Sequence, residues 1–345
     1  MTSHDPVKKQ HVWVLSDGIA GHFNQSKGVL LALGLDAQLE VEWLELKLRF
    51  GFLRRVLRYG LNASRGQMRL ALLRWCYPAL DLPDQMPDII VAAGGRMMYA
   101  AAALRSLTQA KTIFVGSLRG LDPALFDAVL VLEQHPEPQY LTVELAPMPV
   151  DHRVLMQAAQ TWQVQHPQVS GTLWTMLIGG DGAGANYTEQ DWLALAQHMN
   201  TLAKRHHIRW LVTTSRRTGA AAERVLKQTL HTESLADQVW WSESPRKVMA
   251  AFLARASVVC CTAESMSMIT EAIIALRPVI ALRPAQFAPD DRYQAALTRL
   301  VSKQRIMLAP ITEILDATTR INQLSTLEHD PCQMLAHQLK DYLSA

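Results

Sequence analysis

Residues 257–282, SVVCCTAESMSMITEAIIALRPVIAL, read as a complete strand, turn, helix and strand. Val258 to Cys261 are a short apolar run of buried-strand type. Thr262 to Ser267 gather hydroxyls and amides where the helix begins. Ile269, Ala272, Ile273 and Leu276 then recur at core spacing until Arg277 and Pro278 end the helix. Two strands joined through a helix lie parallel in one sheet, which commits this part of the chain to an α/β layer. Free amides at a helix start attract phosphate. Ser267 and Glu271, four apart, share a second helix face, left for a ligand.

The same design recurs along the 345 residues, and strands alternating with helices predict doubly wound parallel sheets. His11–Ser16 leads into Asp17-Gly18-Ile19-Ala20-Gly21-His22-Phe23-Asn24-Gln25, and Asp88–Ala93 into Gly94-Gly95-Arg96. Further short strands are predicted at Thr112–Val115, Ala128–Leu132, Thr172–Ile178, Ile208–Thr213 and Val239–Trp241. Helices are predicted from Arg246 to Ala256, from Arg292 to Leu300 and from Gln333 to Leu343. Thr188 and Asp191, three apart, resemble a capping box. Pro136, Pro138, Pro147 and Pro149 mark the crossing from a first domain, 1–150, to a second, 151–330. A last helix, about 330–345, packs back on the first domain.

Composition removes several classes. With 49% hydrophobic residues the chain can bury two ordinary cores, and a net charge of +3 gives no support for a dedicated nucleic-acid binder. The four cysteines, Cys76, Cys260, Cys261 and Cys332, show neither CxxC nor a histidine pattern, so no metal and no redox pair is indicated. The reading is a reduced, cytoplasmic protein. Its N-terminus is polar, and no apolar run is long enough to span a bilayer. From Leu46 to Leu80 there is no acidic residue, while arginines, among them Arg54, Arg55 and Arg58, alternate with apolar side chains. That pattern suits either an interfacial helix on an anionic inner-membrane surface or an ordinary surface helix with a solvated arginine face.

Candidate site residues sit at the strand ends. In the first half these are Asp17, Gly21, His22, Asn24, Gln25, Gly95, Arg96 and His135, polar groups and glycines at the edge where open α/β sheets bind ligands. In the second half Gly179, Gly180, Asp181 and Gly182 suggest a backbone cradle for phosphate or sugar. Thr214, Ser215, Arg216 and Arg217 suit a diphosphate, because guanidinium binds two oxygens at once. Thr262, Glu264, Ser265, Met266, Ser267 and Glu271 complete the set.

The two halves together resemble the GT-B fold, two Rossmann-like domains facing a central cleft. DGIAGHFNQS is similar to the glycine-and-histidine turn of GT-B glycosyltransferases such as the lipid II glucosaminyltransferase MurG, and residues 256–280 resemble their nucleotide-sugar segment. More narrowly, DGIAGHFNQ, AAGGR, FDAVLVLEQH, IGGDGAGANY, TTSRRTG and AESMSMITEA resemble, in that order, the bacterial relatives of a plant mitochondrial fission factor, over about residues 12–282. Pro136 stands where that family has an acid, and Glu264-Ser265 where it has Asp-Ser. The resemblance implies transfer of a sugar from a nucleotide-activated donor to a glycan or lipid-linked acceptor, with no metal and no cofactor, the nucleotide sugar being a substrate. Glu271 would hold ribose hydroxyls, and His22 or Asp17 would act as general base, the alternative being that Asp17 only orients His22. The alternatives are a nucleotide-sugar epimerase on the same fold and a noncatalytic membrane-docking adaptor.

Overall fold

A computed structural model describes residues 9–344, and the polar stretch before Lys9 lies outside them. The described chain forms two compact units, one of residues up to Pro149 together with those from His329, the other Val150–Glu328.

The first unit runs β1 (Lys9–Ser16), α1 (Ala20–Leu33), β2 (Gln38–Glu45), α2 (Leu53–Ser64), α3 (Leu70–Cys76), β3 (Ile89–Ala93), α4 (Met97–Thr108), β4 (Lys111–Val115), β5 (Ala128–Val131) and β6 (Tyr140–Thr142). All six strands are parallel, in the order β2-β1-β3-β4-β5-β6. Alternation along β1 builds two layers. Trp13 and Leu15 pack with Leu57, Leu61 and Met98 on one face, while Val12 and Val14 pack with Val29, Ala32 and, from the chain's last helix, Leu335 and Leu339 on the other.

The second unit runs α5 (His152–Gln165), β7 (Thr172–Ile178), β8 (Ala185–Asn186), α6 (Glu189–His206), β9 (Ile208–Thr214), α7 (Gly219–Thr229), β10 (Leu235–Val239), α8 (Met249–Arg255), β11 (Val258–Thr262), α9 (Met266–Ile274), β12 (Val279–Arg283), β13 (Gln286–Phe287), α10 (Asp291–Ser302), β14 (Ile306–Pro310) and α11 (Ile314–Ala317). Its main sheet is parallel, ordered β10-β9-β7-β11-β12-β14, and β8 pairs antiparallel with β13. Helix α12 (Pro331–Ser344) packs on α1 in the first unit. Thr188 and Asp191 do form a reciprocal capping box at the start of α6.

Several expectations are corrected. The strand expected at Val239–Trp241 ends at Val239, leaving the two tryptophans beyond its carboxyl end. The helix expected from Arg246 begins at Met249. Leu276, expected in the core, is 37% exposed at φ 59°, because α9 stops at Ile274. The basic stretch breaks into α2 and α3 at Arg65 and Gly66, both at positive φ. The leucine stripe of α2, Leu53, Leu57 and Leu61, lies in the core and is unavailable to lipid, while Phe50, Phe52, Val56 and Tyr59 stay exposed with Leu72 and Trp75.

Candidate active site

In each sheet the strand order reverses once, between β1 and β3 in the first unit and between β7 and β11 in the second. Loops leaving the carboxyl ends of such neighbours part to opposite faces and open the crevice where α/β sheets hold ligands. The residues at these two reversals are Asp17–Gln25 with Gly94–Arg96, and Gly179–Gly184 with Thr262–Ser267.

In the first unit, Asp17 and His22 form a pair. Nδ1 of His22 lies 3.0 Å from both carboxylate oxygens of Asp17, whose side chain is 5% exposed against 31% for the histidine. An ionised carboxylate only accepts, so Nδ1 carries the proton and Nε2 is left as acceptor. The amide of Ile19 donates to Asp17 Oδ1 at 3.2 Å and fixes the turn. The imidazole lies against Gly94, where a Cβ would overlap the ring and where φ is +88°. This accounts for glycine at the end of β3. Asn24 and Gln25 are half-buried on the first turns of α1 without hydrogen-bond partners among the described residues, and Gly21 and Arg96 are exposed. His135 is not brought to this pair. It stacks on Tyr140, ring centroids 4.3 Å apart, in the loop after β5, three strand positions from β1, or about 14 Å.

In the second unit the loops at the reversal are bound to one another through Glu264, whose side chain is fully buried. Oε1 accepts from the Gly180 amide at 2.9 Å, Thr262 Oγ1 at 3.1 Å and Arg217 Nη2 at 3.3 Å, and Oε2 accepts from the Tyr187 hydroxyl at 2.7 Å. Burial pushes the Glu264 pKa up, and the bonds from Tyr187, Arg217 and Thr262 oppose that shift. Thr262 Oγ1 also accepts from the Gly179 amide at 2.7 Å, and the Gly182 amide donates to Ala185 O at 3.1 Å.

The glycine loop expected as a phosphate cradle therefore spends its amides at Gly179, Gly180 and Gly182 within the protein. A Cβ at Gly179 would fall on Glu264 Oε1, and one at Gly180, where φ is +128°, on the Arg217 backbone. The glycines serve close packing. Asp181 Oδ1 accepts from the Tyr187 amide at 2.8 Å. Arg217 donates to Asp181 O at 3.1 Å and braces the loop. Ser215 donates to Gly179 O, and Thr214 Oγ1 donates to Glu223 Oε1 at 2.6 Å, so both hydroxyls are internal. Arg216, by contrast, is exposed and has no bond among the described residues.

The groups left for a ligand surround the start of α9. Ser265 and Ser267 have no side-chain hydrogen bond among the described residues, and the Ser267 and Met268 amides have no helical acceptor. Met266 is half-buried beside them. Glu271, one turn on, is half-buried with no partner among the described residues, and burial raises its pKa to about 7. Tyr293 of α10, absent from the sequence reading, closes the turn by donating to Ala263 O at 2.9 Å. Also missed were Glu223, which bonds Thr214 and Ser242, and Trp241, 46% exposed beyond β10 with its amide bonded to Thr214 Oγ1. A tryptophan just past a strand end beside a hydroxyl-rich loop was the available signal. Among the described residues no group of three His, Cys, Asp or Glu is placed to hold a metal ion, and no helix is long and apolar enough to cross a membrane.

Solved structures sharing the fold include UDP-GlcNAc 2-epimerase from Methanocaldococcus jannaschii (10% identity, 97% of this chain and 99% of that one, TM-score 0.56). A second is UDP-GlcNAc 2-epimerase from Neisseria meningitidis bound to UDP-GlcNAc (10%, 97% and 99%, 0.54). A third is the calicheamicin glycosyltransferase CalG4 (14%, 98% and 95%, 0.51). At such identities the likeness establishes the fold, α/β of the GT-B kind with two Rossmann-like units, which sugar-nucleotide epimerases and glycosyltransferases share. No curated protein matches the sequence. The family model described as mitochondrial fission ELM1 matches residues 20–334, and the chain belongs to that family.

Proposed function

We propose that the protein is a glycosyltransferase moving a sugar from a nucleotide-activated donor to a glycan or lipid-linked acceptor at the cytoplasmic face of a membrane. The observation that carries this reading is Glu271, a half-buried carboxylate with no partner among the described residues, beside helix-start amides that lack a helical acceptor. A carboxylate held out of water without repayment is characteristic of a ligand site. Ionised, it accepts from both ribose hydroxyls of a nucleoside. The Ser267 and Met268 amides, the Ser265 and Ser267 hydroxyls and Arg216 take the diphosphate, and Trp241 offers a face for a base. As the donor's anomeric carbon–oxygen bond breaks, the electron pair goes to the departing diphosphate, and preorganised amides and a guanidinium stabilise that charge. His22 Nε2 takes the acceptor hydroxyl's proton, and Asp17 stabilises the imidazolium. That the Neisseria meningitidis epimerase is bound to UDP-GlcNAc supports a nucleotide-sugar donor. The exposed Phe50, Phe52, Val56 and Tyr59, set among Arg54, Arg55 and Arg58, support peripheral contact with anionic lipid.

A second reading, a noncatalytic adaptor, is favoured by the internally bonded amides of Gly179, Gly180 and Gly182. The deciding experiment incubates the full chain with nucleotide sugars, with and without bacterial lipid extract. Nucleoside diphosphate released only with the extract, and lost in His22→Ala and Glu271→Ala, supports the transferase. An epimer formed without acceptor identifies an epimerase, and no turnover under any condition identifies the adaptor.

A further inference from the structure

Arg58 and Arg119 of the first unit meet, and Arg54, whose Nε donates to Gly51 O at 3.1 Å, lies within electrostatic reach of the same tyrosine, Tyr99. Arg54 and Arg58 are on α2, and Arg119 is in the loop after β4. The loop is stitched to the helix. Asn62 Nδ2 donates to Gly120 O at 3.0 Å, the Asp122 amide donates to Asn62 Oδ1 at 2.9 Å, and Arg58 Nη1 reaches Arg119 O at 3.5 Å. Arg58 Cδ lies 3.4 Å from the place of a Cβ on Gly120. Arg119 is thereby carried over the start of α4, its Cζ and Nε each 3.4 Å from the place of a Cβ on Gly95. None of the three guanidiniums has an ion-pair partner among the described residues.

Beneath them lies Tyr99, on the first turn of α4. It is 4% exposed, and its hydroxyl has no hydrogen-bond partner among the described residues. Burial raises its pKa, while Arg58, Arg54 and Arg119, all within electrostatic reach, pull the other way. Helix α4 is uncapped by Arg96, and the Met98 and Tyr99 amides have no helical acceptor. Like charges gathered around an unbonded hydroxyl and a helix start destabilise the empty site and favour an anion.

We propose that Arg54, Arg58 and Arg119, with the Tyr99 hydroxyl and the opening amides of α4, bind a phosphate group. Guanidiniums bind phosphate oxygens in pairs, and several positive charges match a dianion better than one carboxylate. The site adjoins the candidate base, since Gly94 carries the His22 ring and Gly95, the next residue, carries Arg119. As the subsite for a phosphate-bearing acceptor it rests on the transferase reading. Phosphate binding itself does not, and the test reads binding alone.

Isothermal titration of the full chain with inorganic phosphate is compared between wild type, Arg58→Ala, Arg119→Ala and Tyr99→Phe. The arginine variants are expected to lose about 10-fold or more in affinity and Tyr99→Phe about 3-fold. The thermal shift with nucleoside diphosphates, which reads the second unit, is expected to stay unchanged, and the unliganded melting temperature of the arginine variants to hold or rise as the repulsion is relieved. Phosphate affinity within twofold of wild type in both arginine variants overturns the proposal. Competition of inorganic phosphate against phosphatidylglycerol vesicles identifies the source. Displacement points to a lipid headgroup and undisturbed vesicle binding to a soluble phosphorylated acceptor, and both accompany an occupied site.

Discussion

Glu271 is the residue on which the proposed donor site turns. Its folded pKa of about 7 lies above the ordinary value of 4.5, so the native state holds a proton that the unfolded chain releases between those values. Stability therefore falls as pH rises from about 4.5 to about 7, and the penalty is complete above pH 7. Glu271→Gln is expected to raise stability at pH 8 by up to about 3 kcal/mol, with no gain at pH 4, read as urea midpoints at the two values. The same variant should lose about 10-fold or more in affinity for nucleoside diphosphates, a gain in stability with a loss of binding that a structural role cannot give. His22→Ala should lower turnover by about 100-fold or more and leave the nucleotide-dependent thermal shift intact. The spacing of Ser267 and Glu271 made it legible in the sequence that both sit on one helix, one turn apart. Which of His22 and Asp17 would be the base, and whether Asp17 only orients the ring, stayed open in the sequence, because five residues of turn do not fix where a ring points until Gly94, from another strand, supplies its seat.

Among the elements, the Gly179–Gly184 loop shows what composition hides. Four glycines after an apolar strand suggest a phosphate cradle, yet the space they leave is taken by Glu264, Arg217 and Ala288, which reach them across many residues of sequence. Glu264→Ala removes the acceptor shared by Gly180, Thr262, Arg217 and Tyr187, and is expected to destabilise the second unit by about 2–4 kcal/mol in chemical denaturation. Strands with both faces buried, such as β3 and β11, were legible from apolar runs. The edge strand β2, QLEVEWLE, was not, since alternating acids leave it half-exposed, and β14 and the short β8–β13 pair are fixed by partners rather than by pattern. In α2 the interleaved arginines and leucines were legible, but which apolar side chains remain outside depended on the sheet beneath.

Over the whole molecule, two parallel sheets each reverse once, and at both reversals the chain places groups that its own folding does not use. The exposed aromatic side chains around α2 concern the molecule's surroundings. Phe50→Ser with Phe52→Ser is expected to reduce flotation with phosphatidylglycerol vesicles severalfold, and raised salt should weaken the wild type's binding. The central claim, a nucleotide-sugar site around the start of α9, is tested most directly by a thermal-shift series of nucleoside diphosphates against the full chain and Glu271→Ala. At about 100 times the dissociation constant a true ligand adds about 2.7 kcal/mol, a rise of about 7 °C in the melting temperature of the unit that binds it. One nucleoside diphosphate is expected to raise the wild-type melting temperature by that much and the variant's by far less, whereas no shift with any nucleoside diphosphate at millimolar concentration would contradict the claim.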